Sequence, residues 1–335
     1  MKTGKVPEAV LIRSILKQIH HRRPEVLVGP GVGQDCAAVE VKAGEALVLS
    51  SDPITGTANE VGSLGILVTT NDIAAAGADP IGVILTLLLP DGYEESELKR
   101  LMQDAEAAAQ SIGVEIIGGH TEMTDAVIRP VITVTGVGKI PKDRLFTLKT
   151  IRPGDAIIVT KSIALEAAAI LAADHEEELK THFPADFVER VKAFKRELSI
   201  LPEARAAMTG PVSTMHDVTE GGIFGALWEI GAGAGLGLES DIKKIPVRQE
   251  TIEICEYFGI DPYRSMSSGS LIIITPNEET ALDALDRAGC PAALIGHMTE
   301  GNDRIVRNGQ EVRYLDKPGI DELYRVSRLP GPDPE

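Results

Sequence analysis

The segment from Val61 to Asn71 carries no charged residue, so the helix read there, Glu60 to Ala76, has to be buried nearly all round. A helix of that kind needs cover on several sides, as in a sheet layered with other helices. Asn71-Asp72 puts a carboxylate near its end, and an unpaired charge in mostly apolar surroundings is costly. A metal ion or a positively charged partner would remove that cost. The plainer alternative is a last turn that emerges into water before Gly77 and Pro80.

Around this helix, periodicity gives an amphipathic opening helix from Pro7 to His21, with Val10, Leu11, Ile15 and Ile19 on one face. Strands follow at Ala37 to Val41, Ala46 to Ser51, Ile81 to Leu89, Val114 to Ile117 and Val127 to Val137, with a second helix from Glu94 to Ile112. Strands and helices mix without strict alternation, which argues for an α+β class. The Pro-Gly turn in Ile151-Arg152-Pro153-Gly154-Asp155 precedes an apolar strand, Ala156 to Thr160, and marks a domain boundary. Beyond it come strands at Val212 to Met215, Leu236 to Glu239, Leu271 to Thr275 and Ala292 to Ile295, and helices at Gly222 to Ile230, Gln249 to Phe258 and Glu278 to Ala288. Asn308-Gly309 reads as a hairpin turn. With 335 residues and roughly 150 per domain, two domains are expected. The organisation is an N-terminal helix over 1–28, a domain over 29–150, a second over 151–318 and a tail over 319–335, with Pro330 to Pro334 disordered.

The net charge of -17, from 50 acidic against 33 basic residues, repels a phosphate backbone and argues against nucleic acid as a partner. No apolar run approaches the ~20 residues of a membrane span, and Cys36, Cys255 and Cys290 are too few and too far apart for a disulfide framework. A cytoplasmic protein without a membrane partner is the expectation. An acidic protein can still hold a nucleotide when Mg²⁺ bridges its carboxylates to the phosphates and helix ends add positive field.

The residues for that chemistry lie in separate strings. Gly29-Pro30-Gly31-Val32-Gly33-Gln34-Asp35 sets glycines that let backbone approach a ligand beside a carboxylate; alone, it is also what a surface turn looks like. Asp52 ends the strand Ala46 to Ser51, where a side chain can project into a cleft or simply form a turn before Pro53. Gly118-Gly119-His120-Thr121-Glu122 follows the strand Val114 to Ile117, so a flexible turn would deliver an imidazole, a hydroxyl and a carboxylate at one strand end. A solvent-exposed loop histidine is the bland alternative. In His216-Asp217-Val218-Thr219-Glu220-Gly221-Gly222, Thr219 is a candidate N-cap for a helix whose free N–H groups could hold a phosphate, and Asp217 could add a metal contact. A capped strand-to-helix turn is true in either case. Ser265 to Ser270 resembles a further small-residue loop, though strand-entry turns look the same.

Together, in this order and spacing, these strings resemble a known superfamily over roughly Gly29 to Tyr314. It contains aminoimidazole ribonucleotide synthetase, selenophosphate synthetase, thiamine monophosphate kinase, formylglycinamidine ribonucleotide synthase and the hydrogenase-maturation carbamoyl dehydratase, HypE. Gly31-Val32-Gly33-Gln34-Asp35-Cys36-Ala37-Ala38-Val39 is similar to the family's glycine loop followed by two acids, with Gln34 in place of the first acid. Ser51-Asp52-Pro53-Ile54-Thr55 and Asn71-Asp72-Ile73-Ala74-Ala75-Ala76-Gly77-Ala78-Asp79-Pro80 resemble the segments that supply metal-binding acids.

The resemblance implies a two-domain PurM-like fold: a ferredoxin-like N-terminal domain that dimerises by joining sheets into a barrel, and a C-terminal α/β domain. It implies ATP and Mg²⁺ as cofactors, a homodimer, a small-molecule acceptor and a maturation-protein partner. It places Asp35, Asp52 and Asp72 on metal or phosphate; Asp217 stands beside them as a candidate metal ligand, and His120 with Asp72 as candidate catalytic residues. Nucleotide contacts fall to Gly31, Gly33, Asn71, Gly118, Gly119, Thr121, Thr219 and Gly221. Positioning and charge neutralisation carry most of a phosphoryl transfer, which suits a site of Asp, Gly and helix ends.

The maturation dehydratase ends in a cysteine that receives its carbamoyl group, whereas Leu329 to Glu335 contains none, so carbamoyl transfer to this tail is not expected. No cysteine precedes Cys36, which argues against selenium chemistry. The segments look most like HypE-like proteins without the terminal cysteine. Two other classes stand beside this reading: a nucleotide-binding regulator or maturation-complex partner that has lost catalysis, and a metabolite-binding module that does not use ATP.

Overall fold

The computed structural model describes residues 4–34, 36–54 and 61–326. The chain divides into two compact units, Met1–Leu145 and Phe146–Glu335.

In the first unit, a five-stranded sheet is built from β1 (Gly4–Lys5), β4 (Glu45–Ile54), β5 (Asp79–Leu89), β6 (Glu115–Met123) and β7 (Val131–Pro141), in the order β1-β6-β5-β7-β4. The β5–β6 pair is parallel and the other pairs are antiparallel. A separate hairpin joins β2 (Val26–Val28) to β3 (Ala38–Val39). The opening helix is shorter than Pro7 to His21 and irregular: α1 (Glu8–Val10) runs into a π turn at Leu11–Ile15 and a 3₁₀ turn at Leu16–Gln18.

One face of the sheet is covered by α2 (Val61–Ala75), which also packs on α3 (Glu95–Ile112). The uncharged helix is therefore covered from two sides. Glycine sets how closely it docks, because a Cβ on Gly138 of β7 would stand 2.3 Å from Ile73 Cγ2 of α2. Val83, Leu85, Leu87, Leu89, Ile132 and Val134 fill the core beneath the helices, as period-two strands with one buried face require.

In the second unit, a seven-stranded sheet contains β8 (Ala156–Thr160), β9 (Thr214–Asp217), β10 (Gly237–Asp241), β11 (Leu271–Thr275), β12 (Ala292–Thr299), β13 (Arg304–Asn308) and β14 (Glu311–Tyr314). Its order is β14-β13-β10-β12-β8-β11-β9. Every residue of β8 and of β11 is buried, which explains their unbroken apolar runs. The helices are α4 (Leu165–Asp174), α5 (Glu176–Leu179), α6 (Ala185–Lys192), α7 (Leu201–Ala207), α8 (Gly222–Ala234), α9 (Gln249–Phe258), α10 (Glu278–Arg287) and α11 (Leu323–Val326). The Asn308-Gly309 hairpin forms as read, with Asn308 paired to Glu311.

Three local readings change. Gly118 to Glu122 is no turn but the middle of β6, held by pairing with β5 from Ile84–Gly118 to Leu88–Glu122. Asp52 lies inside β4, paired with Val134, rather than at a strand end. Within 319–326, assigned to the tail, Asp321, Glu322, Leu323 and Val326 are buried, and Leu323–Val326 form a helical turn. Asp35 and Pro330 to Pro334 lie outside the described residues. Among the described residues no helix is long and apolar enough to cross a membrane.

Candidate functional site

In the first unit, β4 and α2 bring two of the expected acids together. The Ser50 hydroxyl donates a short hydrogen bond to Asp72 Oδ2 and lies 3.5 Å from Asp52 Oδ2. Alternation along β4 produces this meeting: Ser50 and Asp52 share the helix-covered face, while Leu47, Leu49, Ser51 and Pro53 are exposed. Asn71, beside Asp72, is 1% exposed. Two carboxylates around one hydroxyl concentrate negative charge at the edge of an apolar layer. Among the described residues no three acidic, His or Cys side chains are grouped as a complete metal cage.

The register fixes where His120 goes. Asp52 pairs with Val134, Val134 with Leu85 and Leu85 with Gly119, on the helix-covered face. The adjacent row, Pro53, Thr133, Thr86 and His120, belongs to the opposite, open face. His120 is exposed and its Nε2 lies 3.2 Å from Glu122 Oε2. Thr121 points the other way and is buried. The first unit thus unites Asp52 with Asp72 and sets His120 on the other side of its sheet.

Gly31 and Gly33 sit in the loop between β2 and β3, and Gly33 adopts φ of 72°, a left-handed conformation suited to glycine. Gln34 turns its amide Nε2 to donate to the Cys36 carbonyl at 3.0 Å.

In the second unit, β9 carries His216 and Asp217 at its end, and α8 begins at Gly222. The expected N-cap, Thr219, is replaced by Gly221 at φ of 82°; Gly222 follows at 63°. A side chain is excluded at Gly222, whose Cβ would approach the Tyr263 carbonyl oxygen to 2.6 Å. Thr219 supplies its carbonyl, which accepts from Gly222 N. The Gly221 N–H donates to Asp321 Oδ2 at 2.7 Å. His216 Nδ1 donates to the Asp217 carbonyl at 2.6 Å, and the Asp217 side chain is buried. Burial pushes the Glu166 carboxyl above the usual carboxylate range; the Ser268 amide opposes this and the nearby Asp321 and Asp217 add to it. The serine-rich segment is internal, because Ser267 accepts from Ala164 N and Ser270 donates to the Ser162 carbonyl.

These elements match known proteins along most of the chain. The model of the AIR synthase related protein, N-terminal domain, matches residues 33–140, and that of the C-terminal domain matches 152–307. The carbamoyl dehydratase HypE of Azotobacter vinelandii is 32% identical over 82% of this chain and 81% of its own. The chain belongs to the AIR synthase-related family. Within this family it is HypE-like: the carbamoyl dehydratase HypE of Cupriavidus necator is 30% identical, covering 79% of this chain and 73% of its own. A putative hydrogenase expression/formation protein of Methanocaldococcus jannaschii is 27% identical over 96% of this chain and 97% of its own.

The PurM-like fold expected from the motifs is that of the HypE structures. A hydrogenase maturation protein HypE solved in complex with ATP superposes with a TM-score of 0.78 at 24% identity, covering 96% of this chain and 97% of that one. As an AIR synthase-related chain, the protein also has residues that motif reading missed. Ser50 precedes the quoted Ser51-Asp52 string by one position, and its role shows only once β4 lies against α2. Asp321 and Glu166 fall outside every glycine string; a lone charge in the otherwise apolar start of α4 was the signal available for Glu166.

Proposed function

We propose that the chain is a magnesium-dependent, ATP-using enzyme that phosphorylates or ATP-activates a small-molecule acceptor, as its HypE relatives suggest. The observation that carries this reading is the convergence of Asp52 and Asp72 on the Ser50 hydroxyl. Carboxylate and hydroxyl oxygens are the hard donors that Mg²⁺ takes, and Mg²⁺ is commonly held by one or two carboxylates, waters and substrate phosphates. The residues present fit the ion, with Asp35 as a further ligand in this proposal; in the second unit, Asp217 is proposed as a metal ligand at its own turn. Bound beside Asp52 and Asp72, Mg²⁺ would supply charge neutralisation for the phosphates. Ser50 orients the Asp72 carboxylate by hydrogen bonding and so limits its freedom to turn away. We assign nucleotide contacts to Gly31, Gly33, Asn71, Gly118, Gly119, Thr121, Thr219 and Gly221.

His120 would act as a phosphate donor or acid/base from the open face of the sheet. A homodimer joined through that face is supported by β4, an edge strand that exposes Leu47 and Leu49, since long apolar edges are normally covered. A HypE–HypF complex has been solved, and a maturation-protein partner and a cytoplasmic location are proposed here by the same likeness.

A second reading, a nucleotide-binding regulator or maturation-complex partner without catalysis, is favoured by one feature. Gln34 stands where the family carries an acid, and its amide is committed to Cys36. ADP release measured with and without cell extract as acceptor separates the two. The enzyme reading predicts acceptor-stimulated release that Asp72→Asn abolishes. Saturable ATP binding with no ADP under any condition would contradict it.

A further inference from the structure

In the second unit, a cavity of about 410 Å³ opens between the start of α8 and residues 316–325. Local sequence creates it. Gly221 and Gly225 stand four residues apart at the start of α8, so that side of the helix carries no side chain, and Pro318 lies against both glycines. The Phe224 ring is held in place by stacking on Tyr263, with centroids 5.2 Å apart. Tyr263 and Arg264 belong to a 3₁₀ turn, Pro262–Arg264, which Asp261 caps by accepting from Tyr263 N at 2.9 Å. The returning chain is fastened by Asp321, whose Oδ2 accepts from Gly221 N at 2.7 Å and whose Oδ1 accepts from Leu323 N at 2.9 Å. Ile320, Tyr324 and Arg325 thereby complete the wall. The volume falls in the range of small-molecule sites, roughly 300–1,000 Å³.

The two cations of this cavity are held differently. Arg325 is committed to Glu322, with Nη1 2.9 Å from Oε2. Among the described residues, Arg264 meets carboxylates only at longer range: its Nη2 lies 3.4 Å from Asp316 Oδ2 and its Nε 3.7 Å from Asp261 Oδ2. Both exceed the roughly 2.7–2.9 Å of a charge-assisted hydrogen bond. The Asp316 side chain is 79% exposed, so water screens its pull on the guanidinium. Arg264 is therefore a planar fork with donors to spare, and it sits over the Phe224 ring at 5.8 Å from the centroid. The rest of the wall is apolar. Ile320 leaves 66% of its surface in water, an exposure that the apolar body of a ligand would reduce.

We propose that this cavity binds a small monocarboxylic acid with a flat, apolar body. The carboxylate takes paired hydrogen bonds from the Arg264 guanidinium, a geometry that the planar fork matches, and the body packs against Phe224, Ile320 and Tyr324. A phosphate dianion fits less well, because Asp316 and Glu322 line the same cavity and repel a second negative charge. The recognising side chains are none of those assigned to nucleotide or metal, so the proposal stands independently of the magnesium and ATP reading.

Calorimetric titration of phenylacetate into the full chain, without nucleotide or Mg²⁺, tests this, with phenylacetamide and phenyl phosphate as comparison ligands. Phenylacetate is expected to bind at one site per chain with a Kd of about a millimolar or tighter. The neutral amide should bind at least tenfold more weakly, and phenyl phosphate no more tightly than the acid. Arg264→Lys keeps the charge but removes the fork and should weaken phenylacetate about tenfold; Arg264→Gln should weaken it further. Ile320→Glu, at an exposed position, should abolish binding, whereas Arg325→Gln should change it little. No saturable binding of phenylacetate to wild type would overturn the proposal, as would equal binding of acid and amide or tighter binding of phenyl phosphate. These wild-type comparisons decide the matter even where a variant fails to fold. An Arg264→Gln chain with an unchanged circular dichroism spectrum that binds phenylacetate as wild type does would overturn it equally.

Discussion

Ser50 donates its hydroxyl proton to Asp72 across the gap between β4 and α2, and so ties the edge of the first sheet to the only charged position of an otherwise uncharged helix. Asp52, two residues along the same strand face, brings a second carboxylate to the same oxygen. Ser50→Ala is therefore expected to reduce Mg-dependent ADP formation about tenfold, the scale of one lost hydrogen bond to a charged group. Asp52→Asn should cost more. Both are read by steady-state kinetics across a Mg²⁺ titration, where equal activity at all concentrations would remove Ser50 from the site.

Close docking of α2 depends on the absence of a side chain at Gly138, whose Cβ would lie 2.3 Å from Ile73 Cγ2. Gly138→Ala is expected to destabilise the first unit by about 1–3 kcal/mol through overpacking. Ile73→Ala, which removes Cγ2, should cost less in the Gly138→Ala chain than in wild type, because the clashing branch is gone. Denaturant unfolding of the single and double variants checks both statements.

Leu49 is 64% exposed on the edge strand β4. If two copies join through this sheet, Leu49→Glu buries like charges against each other and the chain is expected to run as a monomer in light scattering. A dimer of unchanged stability would place the interface elsewhere.

Glu166 gives a pH dependence whose sign follows from its burial. Its folded-state pKa is raised, so the folded protein holds this proton over a range where the unfolded chain has released it. Stability from this group is fully present below the ordinary carboxylate pKa and is lost as pH rises through the folded value. Glu166→Gln, which keeps an oxygen to accept from Ser268 N, should raise the second unit's thermal midpoint at neutral pH and change it little near pH 4. Glu25 has the opposite sign: its hydrogen bond with Arg23 holds its carboxyl at about 2, so that contribution disappears only as pH falls through about 2.

Much of this architecture is legible in the sequence because periodicity reports burial directly. The uncharged stretch of α2 and the unbroken apolar runs of β8 and β11 are buried as their composition requires. Glycine was the less faithful guide. Gly118-Gly119 suggests a turn, yet both residues lie within β6, where a Cβ on Gly119 would stand 2.2 Å from the Leu85 carbonyl oxygen. The same string shows whether a chain comes close to something, but not whether that neighbour is a ligand or the next strand. Sheet register was equally hidden: it puts His120 and Asp52 on opposite faces although both fall in recognisable motifs. Asp321 escaped notice because its partner, Gly221, is distant in sequence.

In the function proposed above, Asp52 and Asp72 form a magnesium-dependent nucleotide site. Calorimetric titration of a non-hydrolysable ATP analogue into wild type and Asp72→Asn, each with Mg²⁺ and with EDTA, tests it most directly. Binding to wild type is expected to require Mg²⁺ and to be weakened at least tenfold, about 1.4 kcal/mol, by the substitution. Binding that is equal in EDTA and unaffected by Asp72→Asn, or no binding at all, would contradict it.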